Sequence, residues 1–106
     1  MRESSPEERA FDNAEYLEVP TLDLHGAFQD EAWLETERFL KEQTALGSEA
    51  VKIIHGIGKQ VLKGMLMQKL KKHPSVKVFR PSERSGQMDA VLLVLLHRIP
   101  RKNLHK

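Results

Sequence analysis

Two short apolar segments of this chain each end in a histidine followed by a glycine, and this pair of corners constrains the fold more than any other feature. The first corner is LDLHG at residues 22–26, and the second is IIHGIG at residues 53–58. Each pattern is typical of a β-strand that passes through a glycine turn into a helix. Because the carboxyl ends of parallel strands meet at one edge of a sheet, Asp23, His25 and His55 are predicted to collect there.

The hydrophobic pattern along the chain predicts the element order βαβαββ. The last strand is apolar at every position, which favours a central place in the sheet, whereas the earlier strands alternate as edge strands do. We therefore expect an α/β fold (an α+β two-layer sandwich) with a mixed four-stranded open sheet ordered 1-2-4-3, the last strand antiparallel, and two helices on one face. The predicted elements are strands within residues 17–24, 50–54, 76–79 and 90–96 and helices at residues 29–45 and 59–72.

Length and composition exclude several classes of protein. A chain of 106 residues is one domain, and the absence of cysteine excludes disulfides, thiolate metal sites and cysteine nucleophiles. The longest apolar run, residues 90–96, is too short to span a bilayer, and the first residues carry no signal-peptide pattern. The sequence therefore indicates a soluble, cytoplasmic protein. We expect a flexible acidic arm at residues 1–16, with one turn of helix near residues 6–14, and a loose basic tail at residues 98–106.

The two halves of the chain carry opposite charge. Residues 1–50 contain four Lys and Arg against thirteen Asp and Glu, whereas residues 51–106 contain thirteen against two. The basic half favours a nucleic-acid partner, although the two halves could also neutralise each other in the folded protein. The candidate nucleic-acid surface consists of Lys69, Lys71, Lys72, Arg80 and Arg84.

The two corners supply groups suited to binding and cleaving a phosphodiester. Asp23 and His25 lie two apart on a strand, so their side chains leave the same face, and imidazoles titrate near neutral pH. Glycines let the backbone approach an anion closely, and nearby lysines add positive charge. Taken singly, each residue has a plainer interpretation, because a strand-end Asp often caps a turn and surface lysines often only face water. The candidate catalytic residues are Asp23, His25 and His55, and the candidate phosphate-binding residues are Gly26, Gly56, Gly58, Lys59 and Lys63.

The two corners together resemble the signature of the Smr (small MutS-related) domain. That family is marked by L-D-L-H-G after the first strand and H-G-x-G-x-G after the second, and the FRP at residues 79–81 also fits. The resemblance covers about residues 20–96, so residues 17–97 are expected to form an Smr-like domain with the βαβαββ sheet, similar to the C-terminal domain of translation initiation factor three. It implies an endonuclease that nicks DNA or cleaves RNA, including messages on stalled ribosomes. The family's active site carries over to Asp23, Leu24, His25, His55, Gly56 and Gly58.

The chain departs from the family pattern at three places. Gln60 replaces the third glycine of the second box, Phe28 replaces the threonine that usually begins the first helix, and the glycine-rich loop before the last strand is reduced to SGQ at residues 85–87. With Phe28 in that place, Gln29 or Asp30 is expected to cap the helix. These changes affect the fit of the substrate backbone more than the chemistry of the first corner.

Two functions are open at this point. In the first, the protein is an endonuclease on RNA or on single-stranded or distorted DNA. His25 is then the general acid or base oriented by Asp23, while His55 and the amides of residues 56–58 stabilise the phosphate. The sequence requires no cofactor and leaves Mg²⁺ open, but a two-metal mechanism would need more carboxylates than Asp23. In the second, the chain is a non-catalytic module that binds RNA, DNA or the ribosome through its basic helix and tail. Neither function involves a membrane or a dedicated metal site.

Overall fold

The computed structural model describes residues 5–57 and 61–98, which fold around one mixed β-sheet. The elements in chain order are α1 (Pro6–Tyr16), β1 (Thr21–Asp23), α2 (Gln29–Leu46), β2 (Ala50–Ile54), α3 (Val61–Lys71), β3 (Val76–Pro81) and β4 (Val91–Leu96). The sheet order is β1-β2-β4-β3, with β1 parallel to β2 and β4 antiparallel to both of its neighbours. The predicted fold class and strand order are confirmed. Parts of three predictions lie outside the described residues: 1–4 of the arm, 59–60 of the second helix and 99–106 of the tail.

β4 is the centre of the fold, as its apolar sequence predicted. All six of its residues are buried, because helices cover both faces of the sheet at this point. Leu92, Val94 and Leu96 pack with side chains of α2 and α3, and the residues that alternate with them pack with α1. A strand that is covered on both faces needs apolar residues at every position. None of the described helices is long and apolar enough to cross a membrane.

Pro6–Tyr16 form a helix, so the prediction of a flexible arm was wrong there, and the single turn of helix expected near residues 6–14 is extended to about three turns. α1 begins with a capping box in which the Ser5 hydroxyl accepts from the backbone N–H of Glu8, while the Glu8 carboxylate accepts from the N–H of Ser5. Ala10, Phe11 and Ala14 form an apolar stripe that packs on the face of the sheet opposite α2 and α3. The Ser-x-x-Glu sequence carries this capping signal, but the stripe is short and surrounded by acids. α1 therefore adds a third layer to the predicted two-layer sandwich.

α2 has a phenylalanine, an unusual N-cap residue, at its start and a glycine, a common C-cap residue, at its end. Gly47 ends the helix in the left-handed conformation, with φ of 83°, as the predicted stop requires. The N-cap is Phe28, whose backbone is extended and whose ring has no oxygen to accept from the first helical N–H groups. The predicted cap at Gln29 or Asp30 was wrong, because both residues already lie inside the first turn.

Candidate active site

The parallel pairing of β1 with β2 brings the two corners into contact. Asp23 lies opposite Ile54 in the register, and the N–H of Leu24 donates to the Ile54 carbonyl at 2.6 Å. At the second corner Gly56 has φ of +82°, and a Cβ atom at that residue would lie 2.9 Å from the Cβ of His25. Only glycine fits between the two corners, so Gly56 determines how closely His25 approaches the second strand.

Asp23 and His25 form a hydrogen-bonded pair on the exposed side of the first corner. The Oδ1 atom of Asp23 accepts from the backbone N–H of His25 at 3.1 Å and from its ring Nδ1 at 2.7 Å. Because an ionised carboxylate can only accept, Nδ1 carries a hydrogen, and the lone pair of the neutral ring is on Nε2. The hydrogen bond to Asp23, helped by its charge, raises the pKa of His25, and the same bond lowers the pKa of Asp23. His25 is therefore suited to carry a proton on Nε2 near neutral pH.

The second histidine, His55, is buried, with 3% of its surface exposed. Its Nδ1 donates to the carbonyl of Gly56 at 2.9 Å, and its Nε2 is enclosed without a partner among the residues that the structure describes. Burial lowers the pKa of His55, which keeps the ring neutral at pH 7. His55 nevertheless contributes to the lining of the cavity between the two corners. The structure therefore shows His55 as a buried, neutral ring at the edge of the site, and its expected contact with a phosphate stays a prediction.

The backbone N–H groups of the second corner are also engaged. Those of His55 and Gly56 both donate to the carbonyl of Ala90, at 2.8 and 3.2 Å. The amide of Gly56 was expected to bind an anion, but in this arrangement both amides join the corner to the start of β4. Gly58 and Lys59, which were assigned to the same anion site, lie outside the described residues.

A cavity of about 970 Å³ opens between the two corners. His25, Gly26 and Lys63 contribute to its polar part, and Nζ of Lys63 lies 3.3 Å from Oδ1 of Asp89. Gly26 has φ of +83°, and no described atom lies within 4 Å of the place that its Cβ would occupy. The space beside Gly26 is therefore open to a ligand, whereas the space beside Gly56 is filled by His25; residues of both corners line the cavity.

Most of the remaining wall of this cavity is apolar. Phe28, Ile57 and Val61 line it, and all three are exposed, Phe28 at 79%. This is the highest exposure of any large apolar side chain in the described part of the chain. The sequence marked Phe28 only as a departure at a helix start, because nothing local shows that its ring projects beside His25.

The predicted nucleic-acid surface divides between two places. Three of its members lie at the C-terminal end of α3 and are all exposed, and Nζ of Lys69 stands 5.4 Å from the centre of the Trp33 ring. Arg80 instead contacts α1 on the other face of the sheet, with its guanidinium 4.6 Å from the centre of the Phe11 ring. Arg84 also turns to α1, because its Nη1 donates to the backbone carbonyl of Glu15 at 3.4 Å. The other two members at the end of α3 are Lys71 and Lys72.

Glu15, which sequence reasoning missed, connects α1 to the loop before β4. Its carboxylate accepts from the Ser82 hydroxyl and from the N–H of Glu83 at 2.9 Å, and Arg80 Nη1 lies 3.6 Å away. Burial would raise the pKa of Glu15, but the two hydrogen bonds and the charge of Arg80 outweigh it and lower that pKa. The loop held in this way ends at Ala90, whose carbonyl receives the N–H groups of the second corner.

Within residues 5–57 and 61–98, no three His, Asp or Glu side chains are grouped closely enough to hold a metal ion.

Comparison with known proteins agrees with the two corners. Residues 22–97 match the family model described as the Smr domain. The chain belongs to the Smr-domain family. The match begins at β1, so α1 lies before the matched residues and packs against them from outside.

Two named relatives and one solved structure are similar to this Smr domain, and both relatives are longer than this chain. It is 37% identical over 75 residues to the ribosome rescue factor SmrB of Shewanella sp. (strain ANA-3), covering 71% of this chain and 43% of that protein. It is 41% identical over 64 residues to endonuclease MutS2 of Pelotomaculum thermopropionicum, covering 60% of this chain and 8% of that protein. The crystal structure of the Smr domain of Thermus thermophilus MutS2 superimposes with a TM-score of 0.70 at 30% identity, over 74% of this chain and 99% of that chain. The chain thus spans less than half the length of these full-length relatives.

Proposed function

We propose that this Smr domain is an endonuclease that cleaves RNA, or single-stranded or distorted DNA, at the Asp23–His25 corner. The observation that carries the proposal is the exposed imidazole of His25. Its Nδ1 is hydrogen-bonded to the Asp23 carboxylate, and this bond leaves Nε2 available to a substrate. The relatives support it, since one is named an endonuclease and another a ribosome rescue factor. A substrate on the ribosome would place the protein in the cytoplasm.

On RNA the pair can perform the reaction without a second protein base. Neutral Nε2 of His25 accepts the proton of a 2′-hydroxyl, whose oxygen bonds to the adjacent phosphorus while the bond from phosphorus to the 5′-oxygen breaks. The imidazolium then gives its proton to the departing 5′-oxygen, so the products are a 2′,3′-cyclic phosphate and a 5′-hydroxyl end. Asp23 holds the ring in the required tautomer and stabilises the imidazolium. On DNA a water molecule would take the place of the 2′-hydroxyl.

The other corner residues support this chemistry without taking part in proton transfer. Lys63 contributes positive charge on the wall of the cavity, and the lysines at the end of α3 would contact phosphates further along the strand. His55 is a positioning residue, because its hydrogen bond to the Gly56 carbonyl shapes the turn that touches His25.

A second candidate is a non-catalytic module that binds nucleic acid or the ribosome. Two observations favour it. The Asp23–His25 pair is open to water, where electrostatic stabilisation of a transition state is weaker than in an enclosed site. The chain also has Gln60 and a reduced glycine loop at residues 85–87 where the family pattern has more glycine.

A cleavage assay decides between the two candidates. Labelled single-stranded RNA, structured RNA and supercoiled DNA are incubated with the wild type, His25→Ala and His97→Ala, in EDTA and in Mg²⁺. His97 is a matched control, because it is an exposed histidine that follows β4 at the opposite end of the sheet. We expect the wild type and His97→Ala to cut at least one substrate and His25→Ala to cut none. Equal cutting by His25→Ala would place the chemistry elsewhere, and binding without cutting by the wild type would favour the binding module.

A further inference from the structure

The most exposed large apolar side chain of the described structure lies beside the proposed catalytic pair. On the basis of the proposed function, we infer that Phe28 is a stacking platform for an unpaired nucleobase next to the phosphate that is cleaved at His25. The substrate is then a strand, of RNA or DNA, that is unpaired at the cleavage position.

Phe28 does not serve the stability of the fold. At a helix N-cap, a Ser, Thr, Asp or Asn side chain would accept a hydrogen bond from the first turn, and a phenyl ring cannot. The ring belongs to neither of the two hydrophobic clusters that cover the sheet, and it is 79% exposed. A large aromatic residue that replaces a cap and remains in water is better explained by a ligand than by folding.

The charges around the cavity indicate which side of it would bind the phosphates of a nucleic-acid strand and which side would bind a base. On the α2 side, Phe28 is followed by Asp30 and Glu31 in the first turn of the helix, and these acids would repel phosphates. On the α3 side, Lys63 lines the cavity in an ion pair with Asp89. Lys69 and Lys71 lie further along the helix, so the balance of charge on this side is positive. A strand therefore binds with its phosphates toward α3 and a base toward Phe28.

A nucleobase with its phosphate is the ligand that fits this combination of an aromatic face and the lysines of α3. Proteins that bind single strands combine a positively charged groove with aromatic side chains on which bases stack, largely independently of sequence. In an intact duplex each base is already stacked and paired, so a base must be unpaired or extruded before it can reach Phe28. Ile57 and Val61, which also line the cavity, would cover the edge of the bound base.

The test measures binding rather than cleavage. All proteins carry His25→Ala, so that the strands stay intact, and the dissociation constants for U12, dT12, a dT12–dA12 duplex and an abasic deoxyribose-phosphate strand are measured by fluorescence anisotropy. Phe28→Ala should bind both single strands about five- to 150-fold more weakly, the range that stacking of one base is worth. Phe28→Trp should bind as well as Phe28. Leu34→Ala, which removes an exposed apolar side chain from the same helix (61% exposed), should change nothing.

Additional variants and strands distinguish a loss of base stacking from a folding defect and from binding of another ligand. Phe28→Ser supplies a capping hydroxyl, so this variant should be at least as stable to urea and still bind single strands weakly. On the abasic strand and on the duplex, Phe28→Ala and Phe28 should bind alike. The inference is overturned if Phe28→Ala binds the single strands normally, or if it loses the same affinity on the abasic strand. It is also overturned if the variant changes only the sedimentation of the protein, which would indicate contact with a second copy. A protein that stacks bases but never cuts would overturn the endonuclease and leave Phe28 as proposed.

Discussion

Replacing Gly56 with alanine tests the contact between the two corners. Two costs add at this residue. The first is the backbone, because φ of +82° lies in the left-handed region, where a residue with a Cβ atom loses about 1–2 kcal/mol. The second is space, because the new Cβ would lie 2.9 Å from Cβ and 3.4 Å from Cα of His25. These atoms are at the backbone and cannot rotate away, so overpacking adds about 1–3 kcal/mol.

Two other glycines separate these costs experimentally. Gly26 and Gly47 both have φ of +83°, but no described atom lies within 4 Å of where their Cβ atoms would be. We therefore expect Gly26→Ala and Gly47→Ala to lower the free energy of unfolding by about 1–2 kcal/mol and Gly56→Ala by about 2–5 kcal/mol. In thermal unfolding, each kcal/mol corresponds to about 4–8 °C in Tm for a domain of this size.

Urea unfolding, followed by the fluorescence of Trp33, gives the three free energies under one set of conditions. The ring protons of His25 should also shift in the NMR spectrum of Gly56→Ala and not in that of Gly47→Ala, because only the former displaces the Asp23–His25 pair. If Gly56→Ala is no less stable than Gly47→Ala, the contact between the corners is not as the structure shows it. A cost in stability without any change at His25 would mean that Gly56 does not position the histidine.

Three further predictions concern ionisable groups. Asp23→Asn should lower the pKa of His25 toward its ordinary value in an NMR titration, because the carboxylate charge is lost; an unchanged pKa would mean that the pair does not form in solution. Burial lowers the pKa of His55, so the neutral ring favours the folded state. This contribution to the free energy of unfolding should be complete above about pH 6.5, the ordinary pKa of histidine. It should be lost as the pH falls from there through the lower pKa of the folded state. His55→Asn should flatten the decline below about pH 6.5 when the free energy of unfolding in urea is measured against pH, and an equally steep decline in this variant would assign it to other groups. Glu15→Ala should lower the free energy of unfolding by about 2–4 kcal/mol, because Arg80 and the loop at residues 82–90 lose their acceptor; a thermal melt unchanged from the wild type would contradict this.

The sheet could be predicted from the sequence because its signals are local. The uniform apolar run at residues 90–96 indicated a strand covered on both faces, and β2 lies at the predicted residues, Ala50–Ile54. β1 is shorter than predicted, since only Thr21–Asp23 pair with β2. Only one turn of helix was predicted near residues 6–14, whereas α1 spans Pro6–Tyr16. Its apolar stripe is short, and its stability depends on a sheet face that no local pattern reveals.

The candidate site could be predicted only in part, because some of its contacts are local in sequence and others are not. The spacing of Asp23 and His25 along one strand is a local property, and their hydrogen bond follows from it. The burial of His55 is not local, because the carbonyl of Ala90 and the rest of its surroundings come from other parts of the chain. Arg80 was assigned to a basic surface because the sequence does not show that its side chain contacts Glu15 and Phe11 of α1.

The most direct test of the central proposal is the single-turnover rate of RNA cleavage at protein concentrations that saturate binding, measured for the wild type and His25→Ala. General acid–base catalysis contributes about 10²–10⁴-fold to a rate. We therefore predict that His25→Ala binds the RNA with unchanged affinity and cleaves it at least about 100-fold more slowly. Equal rates for the two proteins, or a loss of cleavage that disappears once binding is saturated, would contradict a nuclease site at the Asp23–His25 pair.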